Sequence, residues 1–317
     1  MKPLRFVPDN TKIAFMKFAR PGFYASVAAV LLSVGLFFAI GLNYGIDFKG
    51  GTLIEIRTEQ PADLNELRTT IGGLGLGGSE LQEFGDPRDV LIRIETQAGG
   101  EEAQQKAIAT VKEALGANVD YRRVEVVGPK VSGELARDGI LAILLAFAAI
   151  MIYIWLRFEW QFAIGTVATL VHDVALTIGL FAILQLQFDL TIIAALLTIV
   201  GYSLNDTVVV FDRFRENLRK YKKMNFDEMV DMSLNQTLPR TLMTSISTLV
   251  ALIALYVFGG EVLRGFTFAM IWGVVIGTYS SIFIGSPLLS LLGAYVDRAP
   301  TPGPGDNAQA DAEIVQP

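Results

Sequence analysis

The sequence predicts an α-helical membrane protein with six spanning helices and one α+β domain between the first span and the second. Three observations carry that prediction. Of 317 residues, 52% are hydrophobic and only 18% are charged, whereas soluble domains carry about 25% charged residues; the mean hydropathy is +0.45. Six runs are long and apolar enough for a hydrocarbon core about 30 Å thick. Between the first two runs lies a more polar segment in which strand alternation and helical spacing follow one another.

The same composition excludes a simple cytosolic enzyme. The net charge is −6, from 26 Lys and Arg against 32 Asp and Glu, which gives no basis for a general nucleic-acid surface. Cysteine is absent and His172 is the single histidine. Disulfides, thiolate metal sites, Cys nucleophiles and His-rich metal sites are therefore excluded.

Residues 1–22 form a basic start with Lys2, Arg5, Lys12, Lys17 and Arg20. The first span, Phe23–Asn43, is too long for the apolar region of a signal peptide, and no A-x-A site precedes Gly45–Asp47. It reads as a retained signal anchor. Residues 44–138 are the intervening domain. Thr52–Thr58 alternates as a strand. Ala62–Ile71 has helical spacing, with Leu64, Leu67 and Ile71 on one face. The glycine-rich stretch Gly72–Gly78 reads as a flexible turn; no Lys-Ser/Thr follows it, so it is no phosphate loop. Leu81–Phe84 and Val90–Glu95 are short strands around a turn at Gly85–Asp89. Glu101–Leu115 is an amphipathic helix and Tyr121–Val127 a last alternating strand. The order β-α-β-β-α-β suggests a ferredoxin-like sandwich, a fold that hosts many functions and assigns none.

Residues 139–296 hold the other five spans: Gly139–Leu156, Phe162–Leu184, Leu190–Phe211, Thr241–Phe258 and Gly265–Leu289. A basic loop at 212–239 carries Arg213, Arg215, Arg219, Lys220, Lys222 and Lys223, whereas Gln185–Asp189 has no base. The positive-inside rule puts both termini and this loop in the cytoplasm and the intervening domain on the far side. Gly273-x-x-x-Gly277 lets two helices approach closely. Residues 297–317 are rich in Pro, Gly and acidic side chains and read as a disordered cytoplasmic tail.

A charge inside a span costs about 2.5–3.5 kcal/mol at the helix centre and must be paired or face water. Asp206 lies about 16 residues into the fourth span, roughly 24 Å down the helix and in its cytoplasmic half. Arg240 follows Pro239, which reads as the first helical residue of the fifth span. The two meet if these antiparallel helices are neighbours. A carboxylate in apolar surroundings holds its proton more tightly, and a nearby arginine loosens it. Making and breaking such a pair is what a proton-coupled machine needs. The plainer readings are a static ion pair, or an interfacial Asp with a snorkelling Arg. His172 and Asp173 sit midway along the third span. As sequence neighbours on a helix they point about 100° apart, so each is expected to face a different partner, as a proton relay or a helix–helix contact. Asp212, Arg213, Arg215 and Glu216 read as an anchor among headgroups. No Ser/His/Asp triad can be assembled.

Gly45-Ile46-Asp47-Phe48-Lys49-Gly50-Gly51-Thr52, directly after the first span, resembles the G-x-D-F-x-G-G-T motif of the SecF subunits of bacterial SecDF protein-export complexes. The segment containing Gly128 and Pro129, before the second span, resembles that family's V-G-P. The strongest likeness is Gly201-Tyr202-Ser203-Leu204-Asn205-Asp206-Thr207-Val208-Val209-Val210-Phe211-Asp212-Arg213-Phe214-Arg215-Glu216-Asn217, similar to G-Y-S-I-N-D-T-V-V-V-F-D-R-I-R-E-N. His172-Asp173 and the stretch from Gln236 to Leu242 also fit.

The resemblance implies six spans of the RND half-transporter type with a periplasmic domain, in the inner membrane, paired with SecD. It also implies association with the SecYEG channel and YajC, and contact with unfolded preproteins on the periplasmic side. The proton motive force would promote late stages of preprotein export, with no cofactor, metal or nucleic acid. Asp206 and Arg240 would belong to the proton pathway; the part that SecD contributes is not in this chain. Two other readings stay open: a small-molecule exporter of the RND type working as an oligomer, and a non-transporting scaffold that tolerates neutral replacement of Asp206 together with Arg240. Gly45, Gly50 and Gly51 allow a bend where domain meets membrane.

Overall fold

A computed structural model of the chain describes residues 11–116 and 119–292. Lys2 and Arg5 of the basic start, and the predicted tail at 297–317, lie outside the described residues. The chain opens with α1 (Phe15–Ala39). A short strand β1 (Asn43–Tyr44) and one helical turn α2 (Ile46–Lys49) lead into the intervening domain. Its elements are β2 (Gly51–Thr58), α3 (Leu64–Gly72), β3 (Ser79–Phe84), β4 (Asp86–Ile94), α4 (Gly100–Leu115) and β5 (Val119–Val127). Then come α5 (Pro129–Arg157), α6 (Trp160–Leu184), β6 (Gln187–Phe188), α7 (Leu190–Lys220) and α8 (Phe226–Phe258). The last span combines α9 (Glu261–Ser280), a π-helical turn (Ser281–Gly285) and α10 (Ser286–Leu291). Among the described residues 6 helices are long and apolar enough to cross a membrane.

Several helices exceed their predicted bounds: α5 begins at Pro129 rather than Gly139, and α7 continues to Lys220 rather than Phe211. α1 starts at Phe15 and runs through Pro21, and α8 starts at Phe226 and runs through Pro239. Pro239 is therefore a helix-interior residue, not the first one. The added stretch of α8 is too polar to look like a span, yet it buries Met229, Val230 and Leu234 against Phe214 of α7. Tertiary packing thus continues a helix that hydropathy alone would cut.

The domain's sheet has four strands in the order β3-β4-β2-β5, and each neighbouring pair is antiparallel. Ile54 lies opposite Ile92, and Ile56 opposite Val90, in the central pair. These residues, with Ile71 of α3 and Val111 of α4, form the buried core on the helix-covered face. The other face carries a smaller cluster of Leu53, Leu91 and Ile46. The predicted turn at Gly85–Asp89 shrinks to Gly85, whose φ of +85° suits a residue without Cβ, and β4 already begins at Asp86.

In the bundle, α6, α7 and the last span are inside, while α1, α5 and α8 expose most of their apolar surface. Lipid tails can cover that surface. The Gly273-x-x-x-Gly277 pair sits on α7: a Cβ on Gly273 would run into the Ile199 side chain, and one on Gly277 would lie 3.1 Å from Ser203 Cβ. Small residues here let α9 lie close on α7. Pro287, which has no N–H to donate, follows the π turn closely, and Ser286 Oγ donates to the Ser281 carbonyl at 3.3 Å.

Candidate functional site

The inner helices meet around Asp173 of α6, which is fully buried. Ser203 of α7 donates to its Oδ2 at 2.6 Å and Ser280 of α9 donates to the same oxygen at 2.9 Å. His172 Nδ1 lies 2.9 Å from Oδ1. A carboxylate only accepts, so Nδ1 carries the hydrogen of this bond and Nε2 is the ring nitrogen turned away from Asp173. Nε2 is buried and has no hydrogen-bond partner among the described residues. The ring stacks on Tyr279 with centroids 6.2 Å apart, and the Tyr279 hydroxyl donates to the Gly22 carbonyl of α1 at 3.1 Å. His172 and Asp173 thus form one cluster, against the expectation that they face different partners. Their Cβ directions diverge, but two rotatable side chains close the gap, and the serines of α7 and α9 hold the carboxylate in place.

Asp206 lies one turn beyond Ser203 on the same helix. It is buried, and its Oδ2 finds no hydrogen-bond partner among the described residues. Leaving a buried polar atom unmet costs about 1–3 kcal/mol. Arg240 is on the exposed side of α8. No ion pair within 4.0 Å joins the two among the described residues. The predicted contact between them is therefore not made. Tyr202 and Thr207 also bury hydroxyls without hydrogen-bond partners among the described residues, as does Thr241 of α8. Gly201 and Asn205 lie on the exposed side of α7.

The residues after Asp206 fasten α7 to α8. Asn217 is buried and donates to Ser233 Oγ and Gln236 Oε1, both at 2.9 Å. Arg213 donates to Gln236 Oε1 at 2.7 Å and to Glu216 Oε2 at 2.6 Å. Asp212 faces Arg157 of α5 at 3.8 Å, and the Arg215 guanidinium lies 5.8 Å from the Phe158 ring centroid.

At the opposite end, the segment after α1 forms a junction. β1 pairs in parallel with β6, and Gly45 N–H donates to the Phe188 carbonyl at 2.8 Å. Asp47 Oδ2 accepts from the Leu190 N–H at 2.8 Å. Phe48 packs on Phe188, 5.9 Å between ring centroids. Gly50 and Gly51 have φ of +73° and +118°, and a Cβ on Gly51 would strike the Ile94 carbonyl. Thr52 Oγ1 accepts from Gln104 of α4 at 2.5 Å inside the domain. Gly128 caps α5 and Pro129 opens it, where its missing N–H costs nothing. Asp189 caps α7, accepting from Thr191 N at 2.9 Å and Ile192 N at 3.2 Å. Burial pushes its carboxyl above the usual range, and Asp47 adds to that, against the bonds from Thr191 and Ile192.

Sequence reasoning missed Ser280 and Asp189. Asp189 carried a readable signal, a capping aspartate just before an apolar run. Ser280 carried none.

Comparisons with known proteins agree with one another. The family model described as "Protein export membrane protein SecD/SecF, C-terminal" matches residues 107–295, and the "SecD/SecF GG Motif" matches residues 35–62. The chain is 47% identical over 321 residues to the protein translocase subunit SecF of Cereibacter sphaeroides, covering 98% of each chain. It is 46% identical over 296 residues to the subunit of that name from Rickettsia rickettsii, covering 91% of this chain and 94% of the other. A crystal structure of SecDF from Thermus thermophilus, titled a translocon-associated membrane protein, matches with a TM-score of 0.83 and 35% identity over 92% of this chain. A second SecDF structure, in a super-membrane-facing form, matches with a TM-score of 0.69 and 34% identity. The chain spans 40% and 41% of the length of those two SecDF chains.

Proposed function

The chain belongs to the SecD/SecF family of protein-export membrane proteins, and on that premise we propose that it uses the proton motive force to promote preprotein export, with Asp206 as its proton-carrying group. It is a multi-pass membrane protein and a translocase subunit, not a catalytic enzyme. The observation that carries the proton reading is the buried Asp206 carboxylate, whose Oδ2 is unmet among the described residues. A proton on Asp206 cancels its attraction to Arg240, and loss of the proton restores it. That alternation biases how α7 lies against α8. One charge crossing 100 mV gains about 2.3 kcal/mol, enough to shift such a balance markedly. His172 and Asp173 lie beside this route; Ser203, one turn from Asp206, joins their cluster to α7.

The remaining parts of the reading have separate supports. The SecDF structures support a SecD-type partner, since they contain more than twice the length of this chain. Family membership supports SecYEG, YajC and unfolded preproteins as partners, and an inner-membrane location. The sheet order β3-β4-β2-β5 with two helices on one face supports a ferredoxin-like domain over 44–138. The basic residues Arg213–Lys223 support cytoplasmic termini and a periplasmic domain.

The test is export of a secreted reporter into inverted membrane vesicles that hold this subunit with a SecD partner, with and without an imposed proton motive force. Asp206→Asn is expected to assemble normally and lose the force-dependent part of export. Full force-dependent export by Asp206→Asn would instead favour a scaffold.

A further inference from the structure

The outer end of α7 is held by two carboxylates from distant parts of the chain. The first turn of a helix leaves its N–H groups without intrahelical partners. Asp189, the cap, takes those of Thr191 and Ile192. Asp47 takes that of Leu190, at 2.8 Å. Both charges also sit at the positive end of the helix dipole.

Asp47 belongs to a compact strap between α1 and the sheet. On one side the strap grips the approach to α7: Asn43 pairs with Gln187, Tyr44 with Phe188, and Asn43 Nδ2 donates to the Gln185 carbonyl at 3.1 Å. Gly45 fits closely here, because a Cβ would lie 3.1 Å from Asp189 Cβ and the neighbour would have to give way. On the other side the strap runs through Gly50 and Gly51 straight into β2, the central strand of the sheet. The sheet also joins the bundle where β5 passes through Gly128 into α5. A cavity of about 590 Å³ lies between them, lined by Leu53 and Leu91 of the sheet and by Leu190 and Phe268 of the helices.

We propose that Asp47 is a positioning residue that couples movement of α7 to the orientation of the sheet domain. The inference rests on the reading of Asp206 above. A shift of α7 driven at Asp206 reaches its outer end, moves Asp47 by its hydrogen bond to Leu190, and moves β2 through the short strap that follows. Without that bond the strap still holds the segment before α7 through β1 and β6, but nothing in it holds the first turn of α7 itself, and the domain follows α7 less closely.

The test uses the vesicle export assay on the complex with its SecD partner. Asp47→Ala is expected to assemble and to keep force-independent export while losing most of the force-dependent part. Asp47→Asn keeps an oxygen that accepts from Leu190 and is expected to behave like the unmodified chain. The chain has no cysteine, so Asn43→Cys with Gln187→Cys creates one defined pair in register, within the reach of a disulfide. Oxidising that pair in the Asp47→Ala background is expected to restore force-dependent export. If Asp47→Ala accumulates poorly, the oxidised triple variant decides the matter. Full force-dependent export by Asp47→Ala, with Asp206→Asn inactive, overturns the coupling role and leaves the proton reading standing. Loss that oxidation does not restore, or equal loss in Asp47→Asn, also overturns it. Full export by Asp206→Asn removes the proton reading itself.

Discussion

Two buried aspartates of the bundle interior respond in opposite ways to the same substitution. Asp173 accepts from Ser203, Ser280 and His172. Asp173→Asn replaces one accepting oxygen by an amino group, so at least one donor faces another donor. The remaining bonds also lose their charge assistance. One hydrogen bond inside a membrane is worth about 0.6 kcal/mol and up to about 1.7, and a stranded buried donor costs about 1–3 kcal/mol. The expected loss is therefore about 1–3 kcal/mol. Asp206→Asn removes a charge whose Oδ2 has no partner, so it breaks no bond at that atom and relieves a desolvation cost. Its stability is expected to stay level or rise. The assay is reversible unfolding in mixed micelles with increasing dodecyl sulfate, followed by circular dichroism. A drop for Asp206→Asn as large as that for Asp173→Asn would refute the reasoning, because Asp206 would then be held like a structural group.

Gly273→Ala is expected to cost about 1–3 kcal/mol by overpacking, since its Cβ would run into the Ile199 side chain. Adding Ile199→Ala clears that contact, so the double variant should fall short of the summed single losses by about 1 kcal/mol or more in the same unfolding assay. In the sheet domain, Arg57 donates to both oxygens of Asp89 at 2.5 Å, and these bonds hold the Asp89 carboxyl below its usual range. Their stabilisation is complete above the ordinary aspartate value of about 3.9 and fades as pH falls through the lowered one. Asp89→Asn should therefore lower the thermal midpoint at neutral pH. The gap to the unmodified chain should close below about pH 4, checked by melts at a series of pH values.

Hydropathy and periodicity made much of the fold legible. Spans announce themselves because lipid demands a long apolar run, and the strands of the intervening domain alternate because one face is buried. Asp206 was legible because a charge in an apolar run is costly and stands out. The cluster around Asp173 was not. Hydroxyls in these helices look alike in sequence, whether they bond their own backbone or a neighbour. Thr166 and Thr177 donate to carbonyls one turn back, at 2.9 and 2.7 Å, whereas Ser203 crosses to another helix. The contact between His172 and Asp173 depends on rotamers, and helical spacing alone argued against it. The first part of α8 was missed because its buried stripe faces protein, not lipid.

The division between inner and outer helices also bears on how the chain is made. α1 and α5 leave the ribosome before the other four of these spans, and they are the least buried of the six. Each can rest in lipid alone, because almost none of its surface waits for a neighbour. α6 and α7 emerge next, and they bring Asp173 and Asp206 into hydrocarbon, where an unpaired charge is costly. By then two stable helices already stand there for them to pack against. The span α9–α10, whose Ser280 completes the bonds to Asp173, emerges after the other five. The ionisable centre is therefore assembled last, inside a shell that biogenesis has already laid down.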